Sequence, residues 1–202
     1  MKRILFAAVL LFLSACAHVV PEDGPLLTAG EHMRLASIYE SRGEKEAALA
    51  QYRYAALADT SDPEPYFAMG NLNLKDKKYG EAEDQYKKAI ARSPGEARFY
   101  NNLAWLYMET GRLEKARAAI GEALKKGGGK RYAYLDTLGI IEEKKKNFSG
   151  AERHFREALT LAAREDNKEG MRRIYEHMLK LYLTTGESDK AARVVRELES
   201  LY

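Results

Sequence analysis

The strongest constraint in this 202-residue chain is a small side chain that returns at a nearly fixed interval. Ala48, Ala82, Ala116, Ala151 and Ala191 sit in matching segments, separated by 34, 34, 35 and 40 residues. A second series runs in step, Ala36, Gly70, Ala104 and Gly139, closing with Leu179. A third, Ala55, Ala89, Ala123 and Ala158, closes with Leu198. Large residues, Tyr52, Tyr86, Ile120, Phe155 and Val195, stand just ahead of the third series. A period of this length marks units that cannot bury their own apolar stripe and must stack on neighbours to do so. Composition agrees: 46% hydrophobic and 31% charged residues with only five prolines favour packed helices over low-complexity disorder. One cysteine excludes a disulfide scaffold.

Over residues 29–202 this pattern resembles the tetratricopeptide repeat. Tyr66, Met69, Gly70, Tyr79, Ala82, Tyr86, Ala89 and Pro94 carry the resemblance in the second unit. Tyr100, Leu103, Ala104, Tyr107, Gly111, Ala116 and Ala123 carry it in the third. The resemblance implies an all-α solenoid of about five helix-turn-helix units in a right-handed superhelix with a concave inner face. The units fall at about 29–62, 63–96, 97–131, 132–165 and 172–202. In the motif's own count the small residue at the eighth place of the first helix and the alanine at the twentieth let the two helices cross closely. The large residue at the twenty-fourth place fills the space beside them. Enlarging either small residue overpacks the crossing at a cost of about 1–3 kcal/mol. Gly43, Gly111 and Gly186, with the lysine-rich stretches at 75–78 and 145–147, mark turns within units; Ser93-Pro94-Gly95 and Gly127-Gly128-Gly129 mark turns between them. Glu142 stands where an aromatic is usual, and five or six extra residues precede unit five.

The amino terminus reads as an export signal. Lys2 and Arg3 precede ten apolar residues, Ile4 to Leu13, too few for the roughly 20 that a spanning helix needs. Leu13-Ser14-Ala15-Cys16 then resembles the lipobox of bacterial lipoproteins, which implies cleavage after residue 15 and a diacylglycerol thioether on Cys16. Ala17, where an aspartate would retain many such proteins at the inner membrane, implies sorting to an outer membrane. Lipid anchoring at about 0.8 kcal/mol per buried CH2 needs no spanning helix. Residues 16–28, with Pro21, Gly24 and Pro25, read as the lipidated cysteine and a tether.

Of 33 basic residues, two belong to the leader, so 31 face 30 acidic ones in the remainder. That balance lacks the basic footprint of a nucleic-acid binder. His18, His32, His154 and His177 form no zinc motif, and Gly127-Gly128-Gly129-Lys130 lacks both the hydroxyl residue and the leading glycine of a phosphate loop. Neither catalysis nor a cofactor, metal or small-molecule substrate is expected. The Lys144-Lys145-Lys146 run reads as a solvated helix end.

The resemblance places ligands against the second, fifth, ninth, twelfth and thirteenth residues of the first helices. Carried over, it assigns to the groove Phe67, Asn71, Leu74, Lys75, Arg98, Asn101, Trp105, Met108 and Ile140, with Asn102 beside them. Each asparagine amide can both donate to and accept from a peptide backbone, and tryptophan is the side chain most often found anchoring interfaces. Trp105 and Met108 could instead lean into the neighbouring unit. A carboxylate clamp of the chaperone-adaptor type is incomplete, because Phe67, Ala133 and Thr137 occupy its basic places. Val194, Leu198, Leu201 and Tyr202 form a candidate C-terminal interface, unless the last helix folds inward over them. The expected function is a lipid-anchored scaffold facing the periplasm that binds a protein or peptide partner for envelope assembly; among lipoproteins of this architecture the chain resembles type IV pilus pilotins most. The rival is a self-associating structural lipoprotein that uses its C-terminal helix.

Overall fold

The computed structural model describes residues 27–201. The leader, Cys16, the tether up to residue 26, and Tyr202 lie outside the described residues. The rest is ten helices: α1 (Ala29–Ser41), α2 (Lys45–Ala58), α3 (Glu64–Lys75), α4 (Tyr79–Arg92), α5 (Ala97–Glu109), α6 (Leu113–Lys126), α7 (Arg131–Lys144), α8 (Phe148–Arg164), α9 (Lys168–Thr185) and α10 (Ser188–Ser200). No strand occurs among the described residues. Consecutive helices pair as hairpins, and each second helix also packs on the first helix of the next unit. First helices touch each other along the series α3–α5–α7–α9, whereas no comparable contact joins second helices. The first helices therefore form the inner layer of a curved solenoid, and the second helices the outer one.

In the second and fourth hairpins, the eighth and twenty-fourth places meet as a pair. A methyl group added to Gly70 would lie 2.6 Å from Cε1 of Tyr86, and one added to Gly139 would collide with Phe155. Both rings are fully buried and have nowhere to go. Glycine is needed here because a six-membered ring lies flat across the backbone. The third unit pairs Ala104 with the slimmer Ile120. In the first, Ala36 coexists with Tyr52, whose hydroxyl is drawn to Glu40 Oε2 at 2.9 Å. Tyr86 instead reaches Asn71, adjacent to Gly70.

All five internal turns close the same way. A left-handed residue, the one after the C-cap in the first four turns and the C-cap Gly186 itself in the fifth, is followed by an amide that donates back to a carbonyl five residues earlier. Examples are Arg112 N to Tyr107 O at 2.8 Å and Asn147 N to Glu142 O at 2.9 Å. Glycine supplies that conformation at 43, 111 and 186, but Lys77 (φ 58°) and Lys146 (φ 61°) supply it in units two and four.

A second set of contacts joins units to one another. Tyr107 donates to Glu83 Oε1 (3.0 Å), and Arg112 to Glu83 Oε2 (2.6 Å). Tyr182 donates to Glu152 Oε1 (2.9 Å), which Lys190 also reaches. At the junction between units three and four the polarity is reversed: Arg117 donates to buried Glu142 at 2.8 Å, and Asn147 holds its other oxygen at 2.8 Å. Glu142 thus replaces the expected aromatic because its partner is an arginine. Burial pushes its carboxyl up, but the hydrogen bonds from Asn147 and Arg117 outweigh that and leave it below the ordinary range.

The extra residues before unit five do not form a loop. They lengthen α8 to 17 residues and α9 to 18, against 12 to 14 in the other first seven helices. The fifth pair accordingly begins at Lys168, ahead of the expected 172, with Asn167 capping the Gly170 amide at 2.7 Å and donating to Tyr132 at 2.8 Å.

Three outcomes follow. Gly139→Ala should cost about 1–3 kcal/mol in denaturant unfolding, with Phe155→Leu recovering part of the loss in the double variant. Lys77→Gly or Lys146→Gly should stabilise by up to about 1 kcal/mol, because an L side chain is strained there, while Lys78→Gly should not. Burial pushes Glu83 up, but hydrogen bonds from Lys87, Arg112 and Tyr107 outweigh it and lower its pKa from 4.5 to about 2. Since the folded form holds the lower pKa, this stabilisation, on the order of 3 kcal/mol, is complete above pH 4.5 and fades as pH falls toward 2. The stability gap between the native protein and Glu83→Gln should therefore shrink by more than half between pH 7 and pH 3.

Candidate functional site

The inner layer carries a chain of polar contacts that ties each first helix to the next. Arg98 of α5 pairs with Glu64 of α3, and its guanidinium lies 4.8 Å from the Phe67 ring centre. The Phe67 ring also lies tilted against Phe99, 4.9 Å between centres, so it is half-buried and roofed by a cation instead of standing open. Asn71 Oδ1 accepts from both Tyr86 (2.8 Å) and Asn102 Nδ2 (2.8 Å). Burial pushes the Tyr86 phenol up, which keeps it protonated as a donor. The Thr137 hydroxyl lies 3.0 Å from Asn101 Oδ1 and 3.0 Å from Ala133 O. Buried Asp136 receives His177 Nδ1 at 2.7 Å and Arg173 Nε at 3.3 Å, and Lys180 bridges to Glu143 at 3.0 Å.

Two recesses open along this surface. One, about 180 Å³, is walled by Asn101, Trp105, Asp136, Thr137, Arg173 and His177 where α5, α7 and α9 converge. The other, about 430 Å³, is framed by Asn71, Leu74, Lys75, Tyr79 and Glu109 between α3 and α5. Trp105 is half-buried, resting on the core while one side faces the smaller recess.

Other expected groove residues are placed differently. Met108 and Ile140 are 3% and 7% exposed and belong to the packed core. The neighbouring first helices approach closely enough to cover these two positions, so they cannot present apolar surface to a ligand. Asn71, Asn101 and Asn102 do face inward, but part of their hydrogen-bonding capacity is used between helices. Lys75 is largely exposed at the rim of the larger recess, with a long 3.6 Å pairing to Glu40. At the C-terminal strip Val194 is buried, and Leu198 and Leu201 are half-buried against the core. The exposed apolar residues of that end are Leu183 and Val195 instead.

Arg173 and His177 were not expected in the site. Unit five is displaced by the longer helices before it, and stepping 40 residues from Gly139 to Leu179 is what brings His177 opposite Asp136. No group of acidic, histidine or cysteine side chains suited to a metal occurs among the described residues. No described helix is long and apolar enough to cross a membrane.

Residues 73–137 match the tetratricopeptide repeat family model. No curated protein matches in sequence. Among solved structures, PilW, described as a widely conserved type IV pilus biogenesis factor, superposes with a TM-score of 0.74 at 19% identity, covering 86% of this chain and 77% of its own. PilF of Pseudomonas aeruginosa gives 0.60 at 21% identity, covering 86% and 91%. YrrB, described as a TPR protein with an unusual peptide-binding site, gives 0.60 at 18% identity, covering 86% of each chain. At these identities the likeness is one of fold, and the fold is a tetratricopeptide-repeat solenoid.

Proposed function

Starting from a tetratricopeptide-repeat solenoid, a fold built to bind other proteins, we propose that this chain is a lipid-anchored adaptor of the bacterial envelope. Cys16 of the lipobox-like Leu13-Ser14-Ala15-Cys16 would hold it to the membrane, on the outer membrane's periplasmic side. The repeats then offer their inner face to a segment of a partner protein. One observation carries the binding reading: the chain's single tryptophan borders a recess on the inner layer, surrounded by amide, hydroxyl and guanidinium groups already fixed by neighbours. An apolar anchor beside preset hydrogen-bonding groups is the pattern expected of an interface hot spot. Preset groups also lose little freedom when a ligand arrives.

The choice among envelope machines rests on the pilotin-like resemblance of the sequence, to which the shared fold with PilW and PilF lends support. The partner on this reading is a pilus secretin or a protein of the same assembly. The expected result of Trp105→Ala is normal protein abundance and helical content with loss of secretin assembly in the outer membrane. Full secretin assembly in that variant would overturn the proposal.

A further inference from the structure

The two ends of the solenoid, not its inner face, carry a separate inference. At the tenth place of units two to five, Leu72, Leu106, Ile141 and Leu181 are at most 5% exposed, and Leu72 sits within the cluster of unit one. Ile38 holds the same place in unit one, has no unit before it among the described residues, and is 46% exposed. At the twenty-fourth place Tyr52, Tyr86, Ile120 and Phe155 are at most 4% exposed, whereas Val195 of the last unit is 39% exposed, with Leu183 near the same end at 66%. The first end therefore bares the residue that enters a junction, and the last bares the surface that receives it.

The charges at the two ends match by the same register. Inside the chain, the fifth residue of one unit faces the sixth of the next: Asn101 with Thr137 at 3.0 Å, and Asp136 with His177 at 2.7 Å. Continuing that rule past unit five sets Glu176 opposite Arg34 of a first unit. The eighteenth residue likewise faces the fourteenth, as Glu114 does Lys145 at 2.9 Å. That rule sets Asp189 opposite Arg42. Arg34, Arg42 and Asp189 are exposed and enter no salt bridge among the described residues. Among the described residues, Glu176 pairs along its own helix with Arg172.

We infer that a second copy of this chain docks end to end, the first unit of one on the last unit of the other. Ile38 rests against Leu183 and Val195, Arg34 faces Glu176, and Arg42 faces Asp189. Such a contact joins two different surfaces and does not close on itself, so it yields linear oligomers that prolong the solenoid. Leu198 stands where internal units carry alanine, which keeps the copies farther apart than neighbouring units. The association is accordingly reversible, and it weakens with salt because its ion pairs are exposed.

The test uses the full chain carrying Cys16→Ser. Ile38→Cys and Val195→Cys versions should form a disulfide-linked dimer when mixed under mild oxidation, and neither should do so alone. Arg42→Glu should weaken association about tenfold in sedimentation velocity, the worth of one good charge pair, and adding Asp189→Arg should restore it. Linkage of either cysteine version with itself as readily as in the mixture would overturn the inference in favour of a two-fold dimer. A chain that stays monomeric up to about 100 μM would overturn it outright. So would an Ile38 end that binds anionic phospholipid vesicles while the protein remains monomeric.

Discussion

The spacing between the two layers depends on one contact, a large side chain of the second helix lying against the backbone of the first. Where that side chain is a ring aimed across the crossing, as with Tyr86 and Phe155, only the missing Cβ of Gly70 and Gly139 makes room. A hairpin whose helices stood farther apart would carry its first helix at a different height. The next unit would then meet a displaced surface. Because the units contact only their neighbours, such an error would propagate along the stack. The close crossing therefore governs the shape of the inner face as well as local stability.

Polar contacts then fix how one unit sits on the next. On the outer side of three of the four junctions, carboxylates meet tyrosines or cations, in one polarity at Glu83 and Glu152 and in the opposite polarity at Glu142. On the inner side, the Asn71–Asn102, Asn101–Thr137 and Asp136–His177 pairs link four first helices into a continuous band. These side chains hold one another in place before any ligand arrives. A surface so ordered pays little rotamer entropy on binding. That property suits an adaptor better than a flexible groove would.

Much of this was legible in the spacing of alanines, because a small residue at a helix crossing is a demand of packing that no other chemistry satisfies. The five hairpins follow from it, whereas the assignment of Asn71, Asn102 and Trp105 to the inner face came from the resemblance to the tetratricopeptide repeat. Met108 and Ile140 were misread as groove residues because their exposure depends on the distance between neighbouring first helices, which periodicity does not encode. Arg173 and His177 were missed because longer helices shift unit five out of the regular period. Glu142 looked like a defect until its partner was known: a carboxylate at an aromatic position makes sense only beside Arg117 of the preceding unit. Each miss concerns contacts between units, and the repeat pattern describes contacts within them.

The central claim is that partner binding belongs to the inner face around Trp105. Photo-crosslinking in living cells tests it most directly, with the reactive residue placed at position 105 in one strain and at the exposed outer-layer position 57 in another. The expected result is a discrete adduct with one envelope protein from position 105 and none from position 57. Equal labelling at both positions, or an adduct from position 57 alone, would contradict it.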